Sequence, residues 1–218
     1  SGGGPRQALD ILGTEPFLVV NGDTLTDLDP SRLLAAHIDA GALVTLAVVP
    51  NTAPDKYGGV SLDAHGQVTG FVRRGSPLPS YHFIGMQAAR RDAFLGIPAG
   101  QATASIGGVY DRLIAERPGS VRAMICEARF WDVGTVADYV ATSRALADAT
   151  TNAQSSQAPA GVVDTIVWDD VTFGNGCRLD RCIVTDHVRV AAGMRVADAI
   201  LTRGASGETC VIPFAQEP

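Results

Sequence analysis

Two aspartates stand where an apolar run breaks off. Phe17, Leu18, Val19 and Val20 lead into Asn21, Gly22, Asp23 and Thr24, and Phe130 and Trp131 lead into Asp132, Val133, Gly134 and Thr135. A strand that ends in a carboxylate delivers it to the carboxyl edge of an α/β sheet, where the ligands of open sheets bind. Either segment alone reads as well without chemistry: Asn21 and Gly22 suit a plain turn, and Asp132 and Thr135 suit the start of a helix. As a pair, two strand-end carboxylates suit one Mg²⁺, which takes one or two carboxylates and fills its shell with substrate phosphates and water.

Two glycine-rich segments are the other candidates. Gly2, Gly3 and Gly4 precede Pro5 and Arg6, and a bare backbone at a helix start approaches a flat base or a phosphate closely. In Tyr57-Gly58-Gly59-Val60 the glycines let a backbone amide face a ligand, or serve a simple loop-to-strand turn. The four histidines, His37, His65, His82 and His187, are scattered and read as structural or solvated rather than as a relay.

These residues need elements to hold them. The pattern predicts a helix over 5–12 with Pro at its first position, a buried strand over 17–20, and a helix over 29–40 closed by Gly41. It then predicts a strand over 43–49, a hairpin over 59–73, a strand over 82–88, a helix over 105–117, strands over 121–125 and 128–131, and a helix from 135 to 149 opened by Thr135 and Asp138. Strands alternating with helices predict an α/β domain over 1–149 with a mainly parallel sheet. Residues 150–161 lack large apolar side chains and read as a linker.

Beyond the linker an internal repeat appears. Ile166, Ile183 and Ile200 are 17 residues apart, as are Val167, Val184 and Leu201, and Gly176 and Gly193 follow the same spacing. Three edges of about six residues make a coil of about 18, so 162–204 is expected to be a short left-handed parallel β-helix with the three isoleucines as an interior column. Two hairpins of accidental likeness are the competing reading. Residues 205–218 are left as a tail.

Composition excludes several classes. A hydrophobic share of 46% against 18% charged supports a packed core. The net charge of −6 argues against a nucleic-acid partner, and no apolar run approaches the ~20 residues of a membrane span. The cysteines Cys126, Cys177, Cys182 and Cys210 form no C-x-x-C pair, which suits reduced thiols in a cytoplasmic protein. The chain opens on Ser1 with no Met and no preceding strand, and so reads as the middle of something longer.

In this order the motifs resemble the sugar-1-phosphate nucleotidyltransferases, with the mannose-1-phosphate guanylyltransferase-like members most similar. The resemblance runs through Ser1-Gly2-Gly3-Gly4, Asn21-Gly22-Asp23, Tyr57-Gly58-Gly59-Val60, His82-Phe83-Ile84-Gly85 and Trp131-Asp132-Val133-Gly134-Thr135. It implies a Rossmann-like fold with the first β–α units missing, because the family's first strand, triphosphate loop and lysine lie upstream of Ser1. It also implies Asp23 and Asp132 as the Mg²⁺ ligands, Gly2, Gly3 and Gly22 in the nucleotide-binding segments, Gly59 with its amide on the sugar, and Gly85 in the strand lining the sugar pocket. Arg74, in Phe71-Val72-Arg73-Arg74-Gly75, stands where the family has a lysine and is expected to meet a phosphate as a planar fork.

The implied reaction is attack of a sugar-1-phosphate on the α-phosphorus of an NTP, releasing pyrophosphate by alignment and charge neutralisation, without a covalent intermediate. The implied partners are an NTP and a sugar-1-phosphate, with a homo-oligomer through the repeat, since two coils bury little alone. A regulatory or assembly subunit that keeps the fold without turnover is the competing expectation, and the missing upstream segment predicts a catalytically weak chain. A hexapeptide-repeat acyltransferase would need more coils than are present.

Overall fold

In the computed structural model residues 2–149 and 159–214 are described, and the chain divides into two compact units, Ser1–Asp132 and Val133–Pro218. Of the expected linker and tail, 150–158 and 215–218 lie outside the described residues. Among the described residues no helix is long and apolar enough to cross a membrane.

The first unit runs α1 (Gly3–Leu12), β1 (Phe17–Val20), β2 (Thr24–Thr26), α2 (Pro30–Ala40), β3 (Val44–Pro50), β4 (Gly59–Leu62), β5 (Val68–Val72), β6 (Tyr81–Ala89), α3 (Tyr110–Glu116), β7 (Val121–Ile125) and β8 (Phe130–Asp132). Strand β3 lies between β6 and β7 in a six-stranded sheet of order β5-β4-β6-β3-β7, with β1 also paired to β6. Val44, Leu46 and Val48 point to one face, where Leu9 of α1 and Tyr110 and Leu113 of α3 close over them. Ala47 and Val49 point to the other, with Leu33 of α2. This period-2 alternation with both sides covered is why the run carries no polar face.

The sheet is not mainly parallel. Only β3–β7 is a parallel pair, while β1–β6, β3–β6, β4–β5 and β4–β6 are antiparallel. A continuous apolar run reports burial on both faces, not strand direction, which is why the pattern misled. Direction is set by the connections: the β4–β5 hairpin turns on Asp63, whose Oδ1 accepts from the His65 and Gln67 amides, and on Gly66 at φ +75°.

Helix boundaries follow local chemistry. In α2 the Asp29 side chain accepts from the Ser31 amide at 2.9 Å, Pro30 opens the helix, and Gly41 closes it in the left-handed region at φ +61°. Helix α1 begins at Gly3, two residues before the expected start, because Pro5 in the first turn needs no amide partner. Helix α3 begins at Tyr110 rather than 105, since Ile106 is extended and Gly107 lies at φ +78°.

The second unit opens with α4 (Val136–Ala149), capped by Thr135 Oγ1, which accepts from the Asp138 amide at 3.1 Å. Short strands follow: β9 (Val162–Val163), β10 (Ile166–Val167), β11 (Thr172–Phe173), β12 (Arg178–Asp180), β13 (Ile183–Val184), β14 (Arg189–Val190), β15 (Arg195–Ala197), β16 (Ala199–Arg203) and β17 (Thr209–Pro213). They pair in parallel at the 17-residue register: Ile166 with Ile183 with Ile200, Thr172 with Arg189, Leu179 with Val196. Strand β17, in the expected tail, pairs antiparallel with β16.

The interior column is not the isoleucines. Val184 and Leu201 are fully buried in the cluster with Leu179, Val188 and Val190; Ile183 is buried too but outside that cluster, and Ile166, Val167 and Ile200 are half-buried. Both columns carry the same period, so spacing alone does not say which faces inward. Positive φ also recurs at this interval, at Asp164, Arg181 and Asp198, at Asp170 and His187, and at Gly176 and Gly193. The corners are tied by polar links between equivalent positions: Arg181 donates to both carboxylate oxygens of Asp198 at 2.7 Å, and the Asp169 amide donates to Asp186 at 2.9 Å.

Candidate active site

The site grows from the end of β1. Past Val20 the Asn21 amide donates to the Gly85 carbonyl at 2.8 Å, and the chain turns through Gly22 and Asp23 into β2. Strand β2 pairs antiparallel with β8, Thr24 opposite Asp132 and Thr26 opposite Phe130. The pair is clamped at its far end, where Asp27 accepts from the Arg129 amide and guanidinium at 2.8 Å each and Thr26 Oγ1 donates to the Arg129 carbonyl at 2.8 Å. These hydrogen bonds hold the Asp27 carboxyl below its usual range.

Gly85 shapes the floor. The β3–β6 register slips between Leu46 and Val48, which face Gln87 and Phe83, so the residues around Gly85 bulge out of the ladder. Gly85 sits at φ +78°, and a Cβ there would stand 2.9 Å from Thr24 Oγ1 and 3.2 Å from Asn21 Cβ. Both the backbone angle and the close approach require glycine.

The cleft so formed has a volume of about 180 Å³, and Asp23, Asp132, Thr24, His82, Tyr57 and Gly85 line it. The two strand-end carboxylates are therefore brought to one place. Lys56 stands beside them, its Nζ 4.0 Å from Asp132 Oδ2 and 5.0 Å from the centre of the Tyr57 ring. The His82, Tyr57 and Phe130 rings form a three-way cluster, His82 with centroids 4.2 Å from Tyr57 and 4.7 Å from Phe130, and Tyr57 and Phe130 5.7 Å apart. Burial pushes the His82 pKa down, Lys56 adds to that, and the Gly58 backbone and Asp132 oppose it. Its buried Nδ1 has no hydrogen-bond partner.

The other expected residues lie elsewhere or do less. Gly2 and Gly3 pack on the 101–104 segment, the Gly3 amide donating to the Thr103 carbonyl at 3.1 Å, and Gly3 lines a separate groove of about 560 Å³. Gly59 is buried against Ser80 and Val72, which fill the space of a side chain. Gly22 is exposed, with open space where a Cβ would be. Arg74 lines a third groove beyond β5, and its guanidinium makes no ion pair among the described residues. The structure thus brings together Asp23, Asp132 and Gly85, but not Gly2, Gly3, Gly22, Gly59 or Arg74.

Sequence reasoning missed Lys56 and set His82 aside. A signal existed for both: Lys56 immediately precedes the Tyr57-Gly58-Gly59 segment, and His82 stands three residues before Gly85. Among the described residues no three His, Cys, Asp or Glu side chains gather to hold a metal. Two carboxylates of one cleft are the donor set present.

The sequence pattern of the nucleotidyl transferase family matches residues 4–149. The chain is 28% identical over 214 residues to mannose-1-phosphate guanylyltransferase of Mycobacterium tuberculosis, covering 88% of this chain and 58% of that protein. It is 36% identical over 141 residues to N-acetylmuramate alpha-1-phosphate uridylyltransferase of Neisseria meningitidis serogroup B, covering 62% of this chain and 56% of that protein. The chain thus spans little more than half the length of these curated relatives. The crystal structure of HddC from Yersinia pseudotuberculosis has the same fold, with a TM-score of 0.56 at 20% identity over 67% of this chain and 62% of that one. By the match over 4–149 the chain belongs to the nucleotidyl transferase family, that of the sugar-1-phosphate nucleotidyltransferases its motifs resemble.

Proposed function

We propose that this chain carries the sugar-phosphate side of a nucleotidyltransferase that joins an NTP to a sugar-1-phosphate and releases pyrophosphate, with a mannose-1-phosphate guanylyltransferase-like substrate pair. The observation that carries the reading is the convergence of Asp23 and Asp132 in one cleft of a family member. Both substrates are anionic, so the cleft must gather positive charge, and Lys56 already stands beside Asp132.

The donor set fits a Mg²⁺ ion: hard carboxylate oxygens from two strand ends, with the remaining positions left to phosphate and water. Asp23 and Asp132 would hold it, and when bound it would neutralise charge developing on the reacting phosphates. The chain's own residues do the rest. The Gly85 bulge lets Thr24 and Asn21 pack at the cleft floor, the β2–β8 ladder fixes the two carboxylates relative to each other, and the aromatic wall of Tyr57 and Phe130 keeps water from one side. Gly3 and Gly4, with the backbone of 101–104, offer a flat surface suited to a base.

In the same reading residues 162–204 are a short left-handed β-helix following the catalytic domain. The parallel 17-residue register and the repeated positive-φ corners support it. It serves as an assembly surface.

A coupled pyrophosphate-release assay with Mg²⁺, GTP and mannose-1-phosphate tests the proposal, with UTP and glucose-1-phosphate as comparison substrates. Turnover abolished by Asp23→Asn is the expected outcome. Binding of nucleotide and sugar phosphate with no turnover in the full-length protein would replace it with a regulatory subunit.

A further inference from the structure

Strands β2 and β8 form a sheet of their own, with three residue pairs: Thr24 with Asp132, Leu25 with Trp131, and Thr26 with Phe130. A ribbon that short is marginal by itself in water. Its register matters, because a slip of one residue turns Asp132 to the opposite face. Groups just beyond the last pair supply what the ladder lacks. The Arg129 carbonyl accepts from Thr26 Oγ1 at 2.8 Å and from the Asp27 amide at 3.3 Å. The Arg129 amide donates to Asp27 Oδ1 and its Nε to Asp27 Oδ2, both at 2.8 Å. From there the guanidinium reaches back along the ribbon to Trp131, 5.3 Å from the ring centre.

These four bonds do little for the fold as a whole. The Arg129 and Asp27 side chains are 72% and 42% exposed, and exposed ion pairs contribute little to stability. Asp27 lies four residues past Asp23, and Arg129 three before Asp132. One pair thus ties together the two segments that carry the carboxylates, at the end away from the cleft, and neither side chain lines the cleft itself.

We propose that Asp27 and Arg129 are a positioning pair, whose ion pair locks the β2–β8 register and so fixes the Asp23 and Asp132 carboxylates relative to each other. The inference rests on the proposed function and adds to it the residues that hold its two carboxylates in place. The ladder is the lever. Three residue pairs span roughly 10 Å of strand, and a slip or splay at the clamped end is carried to Thr24 and Asp132 at the other. Aspartate suits position 27 because one oxygen accepts from the amide and the other from Nε. An asparagine would set its NH₂ against one of those two donors.

Asp27→Ala, Arg129→Ala, the double variant and Arg129→Lys separate positioning from a structural role. With Mg²⁺, GTP and mannose-1-phosphate, Asp27→Ala is expected to lower kcat about 10- to 100-fold, the scale of a small misplacement of reacting groups, with KM and the urea midpoint near native. Arg129→Ala should cost less, since its amide still donates to Asp27, and should add nothing once Asp27 is gone. Arg129→Lys recovers part of the loss. Additive losses, native kcat in Asp27→Ala, or a urea midpoint that falls along with kcat would overturn the inference.

A second readout needs neither turnover nor metal. In ¹⁵N-labelled protein, Asp27→Ala should shift the amide resonances of Asp23, Thr24 and Asp132 at the other end of the ribbon, with those of β3 unmoved. Unmoved amides at all three would reject the positioning pair and leave the proposed function standing. No turnover by the native protein with any of the offered substrates would reject the proposed function, and the amide shifts would then decide the register lock by themselves.

Discussion

Thr24 and Asp132 face each other across the β2–β8 ladder, and through that one pairing Asp23 and Asp132 reach the same cleft. The carboxylates come from opposite ends of the first unit's sequence. A two-strand ribbon, clamped by Asp27 and Arg129, turns that separation into proximity.

Asp23→Asn and Asp132→Asn should each lower kcat by about 10²–10³, the scale of losing one preorganised electrostatic group. Stability should change by less than about 1 kcal/mol, because the Lys56–Asp132 contact is long and partly exposed. Pyrophosphate release measures the first and urea denaturation the second. Loss of both together would make Asp132 a structural residue.

Gly85→Ala should destabilise the protein by at least about 1–2 kcal/mol, the cost of a left-handed residue bearing a Cβ. The approach to Thr24 adds to that. Gly22→Ala, with open space at its Cβ, should stay within about 0.5 kcal/mol. Equal effects at the two positions in urea melts would contradict the bulge.

His37 gives a pH dependence. It is fully buried between α2 and β3, with Nδ1 2.9 Å from Thr45 Oγ1, and burial lowers its pKa to about 4, Arg90 adding to the effect. The unfolded chain titrates near the ordinary 6.5 and so takes up the proton first. The stability present above pH 6.5 is therefore lost as pH falls towards 4, at about 1.4 kcal/mol per unit and on the order of 3 kcal/mol in all. His37→Gln should show a shallower fall in the same window. Parallel curves for the two proteins would count against the assignment.

In the second unit Leu201→Ala should cost about 2–5 kcal/mol, since Leu201 is fully buried in that unit's core cluster. Ile212→Ala, half exposed on β17, should cost little. Trp168 belongs to this unit and Trp131 to the first, so mutants retaining only one tryptophan report each unit separately. A shift seen through Trp131 alone would place Leu201's contribution in the wrong unit.

Much of this was legible in the residues. The caps of α2, the hairpin at Asp63–Gly66 and the 17-residue register are local or periodic features, and each depends on a few side chains within reach of one another along the chain. The Asn21-Gly22-Asp23 and Trp131-Asp132 segments were legible for the same reason, as apolar runs ending in a carboxylate.

Strand direction, the inward column of the repeat and the neighbours of the two aspartates came only with the tertiary structure. A run such as 44–48 is apolar because both faces are covered, whichever way its partners run. Ile183 and Val184 repeat with one period, so only packing decides which of their two columns joins the core cluster with Leu201. Gly59 and Gly85 look alike as letters, yet one gives way to Ser80 and the other to Thr24 at the cleft floor. Lys56, in the turn before β4, and His82, on β6, enter the site because segments distant in sequence fold beside Asp132, and composition and spacing along a chain carry no record of that proximity.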